Sequence, residues 1–524
     1  MQRRTFLAGL AALAATGPAA AQMKMDGMKH DMPGMSGHAG HDMGASTSAM
    51  PVLPEGQPLC DLMRLANEST VPGSFKAKLT AEPAVARYAD GIDTPILGYN
   101  GTSPGPLIEV NEGDRVEIEF ANNIPDEVST IHWHGMPVPA DQDGNPMDPV
   151  ASSSDRTYAF DLPEGSAASY WYHPHPHGKT AQQVYRGLAG AFLVKPKIDP
   201  IPSEYGDTIV MFTDLRLAAD GIMPASTMAD MMNGRVGDHV LVNGQKNPSL
   251  ALKRGEKRRL RLYNATNARF LRLTFENASM VVVGTDGGLL EAPVPVDEIL
   301  LTPAERVELV VTFDKPGASI LRTLDYERGW MGLGKLADAG LALLTANVSE
   351  TRADPVPPLP EKLRSITPLG AAAVTRRFVF TEKMQMGSGG MSMGSHDMHM
   401  GSNSVATSSG EMKMEFLING AAFDMHRIDI VSKVGDVELW EVINQSDMDH
   451  PFHVHGTQFQ VMEQERDGKV SKPAYLAWKD TVNVARGETV RLLLRQDQPG
   501  PRMYHCHILE HEDLGMMGIV DVQA

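Results

Sequence analysis

From Phe75 onward the chain is a succession of short runs in which apolar residues alternate with polar ones or cluster briefly, with turn-forming residues between them. Pro95 to Tyr99, Leu107 to Val110, Arg115 to Phe120, Arg258 to Asn264, Arg306 to Phe313 and Val437 to Asn444 are examples. Side chains alternate faces along an extended strand, so this period of two predicts strands with one face in a core. Short runs broken by turn residues predict an all-β fold of antiparallel sandwiches rather than long helices. At 524 residues the chain is too long for one core and suits about three domains of ~150 residues. Proline-rich linkers at Pro196 to Pro202 and Asp354 to Pro360 divide it into 52–198, 203–350 and 372–524.

Three segments fall outside this pattern. Residues 1–21 place Arg3-Arg4 before the apolar run Leu7 to Ala15 and end at Ala19-Ala20-Ala21, which reads as a twin-arginine signal peptide with a small-residue cleavage site. The run is well short of the ~20 residues a membrane span needs. Export of a folded protein through the twin-arginine machinery to the bacterial periplasm is the expectation. Residues 22–51 alternate Met23, Met25, Met28, Met32, Met35 and Met43 with His30, His38 and His41, and cannot bury a core. A similar tract, 384–414, interrupts the last domain with Met384, Met386, Met391, Met393, Met398 and Met400 in a glycine and serine background, where a mobile loop is expected. Such tracts are solvated tethers or copper-capture segments; soft sulfur selects Cu(I), which favours capture.

Charge narrows the partners. Against 47 basic residues stand 65 acidic ones, a formal net charge of −18, which disfavours nucleic acid and attracts small cations. A monomer is expected. Of the two cysteines, Cys60 is read as a small buried or inert thiol without a role, while Cys506 sits among histidines.

The histidines recur in alternating pairs: His132 with His134, His173 with His175, His453 with His455, and His505 with His507. Alternation puts each pair on one face of a strand and turns Cys506 to the face opposite His505 and His507. A turn after His507 can return His511 and Met516 to the Cys506 side, and the unpaired His450 supplies a second imidazole there. A thiolate, two imidazoles and a weak thioether are the donor set of a blue-copper electron-transfer site. Eight paired imidazoles exceed any four-coordinate zinc site, and a lone cysteine near a methionine suits copper better. His177 is read as a surface or supporting residue, because the tally closes without it. The middle domain holds only His239 and no pair, so it is read as a spacer, and its Met228, Met231 and Met232 as packing residues, with a contribution to a copper path as the alternative.

The motifs His132-Trp133-His134-Gly135, His173-Pro174-His175, His450-Pro451-Phe452-His453-Val454-His455-Gly456 and His505-Cys506-His507 followed by His511 and Met516 resemble the copper-binding signatures of the multicopper oxidases. That resemblance implies three cupredoxin-like Greek-key β-sandwich domains and four copper ions. It assigns a type 1 copper to His450, Cys506, His511 and Met516 and a type 2 copper to His132 and His453. It assigns a type 3 pair to His134, His173, His175, His455, His505 and His507. Asp143 and Glu512 resemble the proton-relay carboxylates of the family. The electron path from Cys506 through backbone to His505 and His507 is on the order of 10 Å at extended-chain spacing.

The twin-arginine signal and the Met-rich insertion are similar to those of the periplasmic copper-efflux oxidases, the CueO-type members. These oxidise Cu(I) to Cu(II) with reduction of O2 to water. Their substrate copper is bound by an acid and a methionine before the first type 1 histidine, which places the candidate here at Asp447 and Met448, with the acid shifted by a residue. Their insertion is partly helical, whereas this one is rich in glycine. The leading expectation is a cuprous oxidase for copper tolerance with weaker laccase-like activity. A general laccase or ferroxidase acting on phenols or Fe(II), and a mainly copper-sequestering resistance protein, are the alternatives.

Overall fold

The computed structural model describes residues 50–332, 340–386 and 412–524. The expected signal peptide, nearly all of the Met/His-rich segment 22–51, and the methionines and histidines of 391–400 lie outside the described residues. The protein is all-β, its described residues built into six sheets in the manner of cupredoxin-like sandwiches. Three stretches, 74–195, 208–352 and 374–523, contribute two sheets each, and among the described residues no sheet takes strands from more than one stretch.

The pattern on Val437–Asn444 shows how sequence makes these sheets. Trp440 and Val442 are fully buried while their neighbours Leu439, Glu441 and Ile443 are only half-buried. Each such inward side chain is worth about 1.5–3 kcal/mol of apolar burial. Glu438, also inward, is satisfied by Arg376 at 2.7 Å and by the indole N–H of Trp440 at 2.8 Å.

Strand direction departs from the antiparallel expectation. In every stretch the first strand pairs in parallel with a later one: Ser74–Ala89 with Arg115–Asn122, Thr208–Leu215 with Glu256–Asn264, and Val374–Met386 with Val437–Asn444. In the second sheet of each, the last strand pairs in parallel with an early one, as Gly190–Lys195 does with Gly105–Asn111. Side-chain alternation sets which face is buried, but a Greek-key crossover decides the direction of the partner. The same two parallel pairs therefore recur three times.

The ends of the expected loop 384–414 are strand rather than loop. Met384 pairs with Met414 and Met386 with Met412, so the hairpin arms run on to the edge of the described residues. Cys60 is exposed and unbonded to Cys506, so of the two expectations, a buried or an inert thiol, the buried one does not hold.

Three short helices lie where the domains meet: α1 (Thr180–Tyr185), α2 (Met228–Asn233) and α3 (Leu509–Asp513). α2 starts at a capping box in which Thr227 Oγ1 accepts from the Asp230 N–H and the Asp230 carboxylate accepts from the Thr227 N–H. Arg216 holds the same carboxylate with two nitrogens, at 3.0 and 3.1 Å. α3 packs against both α1 and α2, so the segment after Cys506 is clamped between the first two domains.

Candidate metal centre

The strand Gly500–Cys506 lies antiparallel to His450–Val454, with Cys506 opposite Phe452 and His505 opposite His453. This register puts His450, Phe452 and Cys506 on one face of the sheet and His453 and His505 on the other. The three histidines and the cysteine named here are fully buried, as are His455, His507 and His511.

On the Cys506 face, His450 Nδ1 lies 3.3 Å from Cys506 Sγ and 3.3 Å from His511 Nδ1. The outer nitrogens of both rings are occupied. Ser446 donates its hydroxyl hydrogen to Asn444 or the Met448 carbonyl, so its oxygen accepts from His450 Nε2 at 2.7 Å. His511 Nε2 donates to the Met232 carbonyl at 3.1 Å, and its ring stacks on Phe416 with centroids 3.8 Å apart. Both Nδ1 lone pairs are thereby left free, in a group with the sulfur whose ligand atoms all lie within 4.8 Å of one another. Met516 is fully buried in the same core cluster as Cys506, and its carbonyl accepts from the Cys506 N–H at 3.0 Å. Burial pushes the Cys506 thiol well above its ordinary pKa, and burial pushes His450 down to about 3, so this pocket favours neutral ligands until a cation enters.

The other face gathers eight imidazoles from four strand segments. His132 and His173 are opposite one another in the first domain, as His453 and His505 are in the third. His175 Nε2 and His455 Nε2 lie 3.2 and 3.1 Å from His505 Nε2. Burial, reinforced by the neighbouring rings, pushes His134, His175, His453 and His455 well below the ordinary histidine range. Three neutral nitrogens that converge at such distances repel unless a cation lies between them.

Orphaned atoms make the same case. His132 Nε2, His134 Nδ1, His173 Nε2, His453 Nε2 and both nitrogens of His507 are buried without a hydrogen-bond partner among the described residues. The opposite nitrogens are bonded, His132 Nδ1 to the Asp143 carbonyl at 3.0 Å, His173 Nδ1 to the Pro174 carbonyl at 2.9 Å and His453 Nδ1 to the Asp480 carbonyl at 2.8 Å. These bonds fix the tautomer and leave a lone pair facing inward, the usual arrangement of metal-ligating histidines. The donor set fits copper on both faces.

Both predicted carboxylates adjoin the imidazoles. Asp143 is fully buried, with Oδ2 3.0 Å from His455 Nδ1 and Oδ1 3.2 Å from His132 Nδ1. Glu512, also buried, has Oε1 3.5 Å from His175 Nδ1 and accepts from Thr180 Oγ1 at 3.0 Å. Burial, with Asp513 and Glu510 beside it, pushes its carboxyl well above the usual range.

The two residues of the predicted substrate pair differ in burial. Asp447 is exposed, whereas Met448 is buried, with its sulfur 3.9 Å from Arg328 Nη1. Both residues lie in a bend between the strands Val437–Asn444 and His450–Val454. Asp449 is buried and occupied by Tyr326 and Arg486. His177 is exposed beside Phe423 and stands apart from the clusters.

One set of residues that the sequence assigned to packing, and one residue that it passed over, adjoin the centre. Met228, Met231 and Met232 are half-exposed on one face of α2, and the last bonds His511. Their spacing of three and four was a legible signal. Asp480, which bonds His134 Nε2 at 3.1 Å, belongs to no motif.

Multicopper oxidase family models match residues 81–199, 210–323 and 390–524. The chain belongs to the multicopper oxidase family. It is 32% identical to the multicopper oxidase mco of Staphylococcus aureus over 85% of this chain and 88% of that one. The solved structure of a multicopper oxidase from Campylobacter jejuni, described as a metallo-oxidase, superposes with a TM-score of 0.81 at 39% identity, covering 91% of this chain and 98% of that one. Cell division protein FtsP of Photorhabdus laumondii is 30% identical over 84% of this chain and 88% of its own. Membership of the family makes this multicopper oxidase an oxidoreductase that uses copper, O2 and a reducing substrate.

Proposed function

We propose that this multicopper oxidase oxidises Cu(I) to Cu(II) in the bacterial periplasm, consuming four Cu(I), four protons and one O2 for every two water molecules formed. The observation that carries the substrate is α2. Its three methionines lie at i, i+3 and i+4 on a half-exposed face, and Met232 is one hydrogen bond from His511. Thioethers favour Cu(I), so this face, rather than Asp447 and Met448, is where the substrate ion would dock. The metallo-oxidase description of the Campylobacter relative agrees with this reading. Periplasmic export rests on Arg3-Arg4 and the apolar run behind it.

The ligand assignment is four coppers: one on His450, Cys506, His511 and Met516; one on His132 and His453; and two on His134, His173 and His507 and on His175, His455 and His505. Copper so held supplies one-electron redox chemistry on both faces of the sheet. Cys506 and its chain neighbours His505 and His507 then form the through-bond route between them. Asp143 holds a proton position at His455 Nδ1 and Glu512 one near His175 Nδ1, so protons would reach the imidazole side from two directions.

The similarity to the cell division protein FtsP favours a second reading, a role in cell division, but the set of inward-facing ligands speaks for turnover. Oxygen uptake with Cu(I) and with a phenol, in the intact chain and in a variant with Met228, Met231 and Met232 all replaced by leucine, decides between these. The expected result is a raised KM for Cu(I) with phenol oxidation within about twofold. No Cu(I) oxidation by the intact chain would refute the cuprous reading, and no uptake with either substrate would refute both oxidase readings.

A further inference from the structure

We infer that Arg306, in the middle domain, is a positioning residue for the imidazole cluster and acts through Asp480. Arg306 is 1% exposed. Its Nη1 and Nη2 donate to the two carboxylate oxygens of Asp480 at 2.7 and 2.5 Å. Its Nε donates to the Ser169 carbonyl at 2.7 Å, on the strand Ala168–His173 that ends in a cluster histidine. One guanidinium therefore joins all three domains.

Asp480 passes this constraint to two rings. Its Oδ1 accepts from His134 Nε2 at 3.1 Å and its carbonyl accepts from His453 Nδ1 at 2.8 Å. The neighbouring Thr481 Oγ1 is a second contact of His134 Nε2, at 3.1 Å, and donates to Asp480 Oδ1 at 3.0 Å. The His134 and His453 rings are stacked, with centroids 3.7 Å apart and planes 16° apart. With its Nε2 hydrogen committed to Asp480, His134 presents Nδ1 to the cluster, whereas His132, His173 and His453 present Nε2. That exchange of ring nitrogens requires the carboxylate to be fixed in one plane, which a bidentate guanidinium does and an ammonium does only in part.

The surroundings are built for this pair. A Cβ at Gly135, the residue after His134, would stand 2.1 Å from Asp480 Oδ2 and 2.8 Å from Arg306 Nη2. Arg306 also takes Asp286, which is held in turn by Lys479 Nζ at 2.9 Å. Buried ion pairs cost desolvation and are often replaceable by apolar residues, so a network of this extent beside metal ligands points to a geometric role. The middle domain is therefore more than a spacer.

The test uses copper-loaded Arg306→Met, Arg306→Lys and Asp480→Asn, with copper content, the blue absorption of the Cys506 site and oxygen turnover as readouts. Arg306→Met should lose copper affinity on the histidine side, and turnover, by about 10 to 100-fold while keeping its blue absorption, and Arg306→Lys should recover part of both. Full copper with turnover within about twofold of the parent overturns the inference. Equal loss of blue absorption and histidine-side copper also overturns it, because it marks general unfolding. Should Arg306→Met yield no folded protein, Asp480→Asn, nearly equal in volume, is judged by the same two criteria.

Discussion

His453 and His505 are register partners across two antiparallel strands, and the residue after His505, Cys506, faces the opposite side of the same sheet. Two metal environments are thus separated by the thickness of one strand and joined by one peptide bond. The arrangement needs no special backbone conformation, because the alternation of an ordinary strand produces it.

Replacement of Cys506 by serine tests this separation. The oxygen cannot supply the soft donor, so blue absorption and turnover should both be lost. Copper on the histidine side should stay, since none of its inward nitrogens depends on Cys506 Sγ. Metal analysis with absorption spectroscopy distinguishes the two faces, and retained turnover would exclude the route through Cys506.

Asp143→Asn and Glu512→Gln test proton supply. Both carboxylates touch ring nitrogens directed away from the proposed metal positions. Each amide keeps the size of the carboxyl group but cannot shuttle a proton, and general acid–base contributions are about 10² to 10⁴-fold. Turnover should fall by at least about 10²-fold in the Asp143 variant, with blue absorption within about twofold of the parent. Unchanged turnover in both variants would remove the relay role.

Gly144 tests how Asp143 is placed. Its φ is +71°, and a Cβ there would lie 1.9 Å from the Ile131 carbonyl oxygen, next to the first histidine motif. Gly144→Ala must shift that backbone, at a cost of about 3 kcal/mol or more. The expectation is a lowered melting temperature together with slower turnover. A variant as stable as the parent would show that the close approach is dispensable.

Much of this centre was legible because metal ligation on strands writes itself as a period of two. The pairs at His132, His173, His453 and His505, and the return of His511 and Met516 beside Cys506, follow from alternation and one turn. What escaped depends on packing between domains. Nothing near Asp480 in the chain announces that Arg306 will meet it, and the Met232 carbonyl that bonds His511 is a backbone atom with no sequence signature. The burial of Met448 escaped for a related reason. Spacing from a motif gives proximity along the chain, whereas its inward direction is set by the core it joins with Phe452 and Met516. The parallel strand pairs escaped because patterning carries faces and not directions.

Glu308 carries the acid limit of the scaffold. The carboxylate is 1% exposed and accepts from Arg259 Nη2 and Arg261 Nη1, each at 2.6 Å, and from Ser169 Oγ in the first domain at 3.0 Å. Burial alone would raise its pKa, but the two guanidinium groups outweigh burial and hold it at about 2, against an ordinary value of 4.5. A pKa depressed in the folded state contributes stability that is complete above pH 4.5 and is lost as the pH falls toward about 2. At 1.36 kcal/mol per unit the contribution is about 3 kcal/mol. Glu308→Gln leaves two buried arginines short of a charge and should destabilise by about 3–5 kcal/mol at pH 6. Its deficit relative to the parent should shrink as both are taken below pH 4.5, which denaturant unfolding at stepped pH measures. A deficit that stays constant down to pH 3 would show that Glu308 is held by packing rather than by its charge.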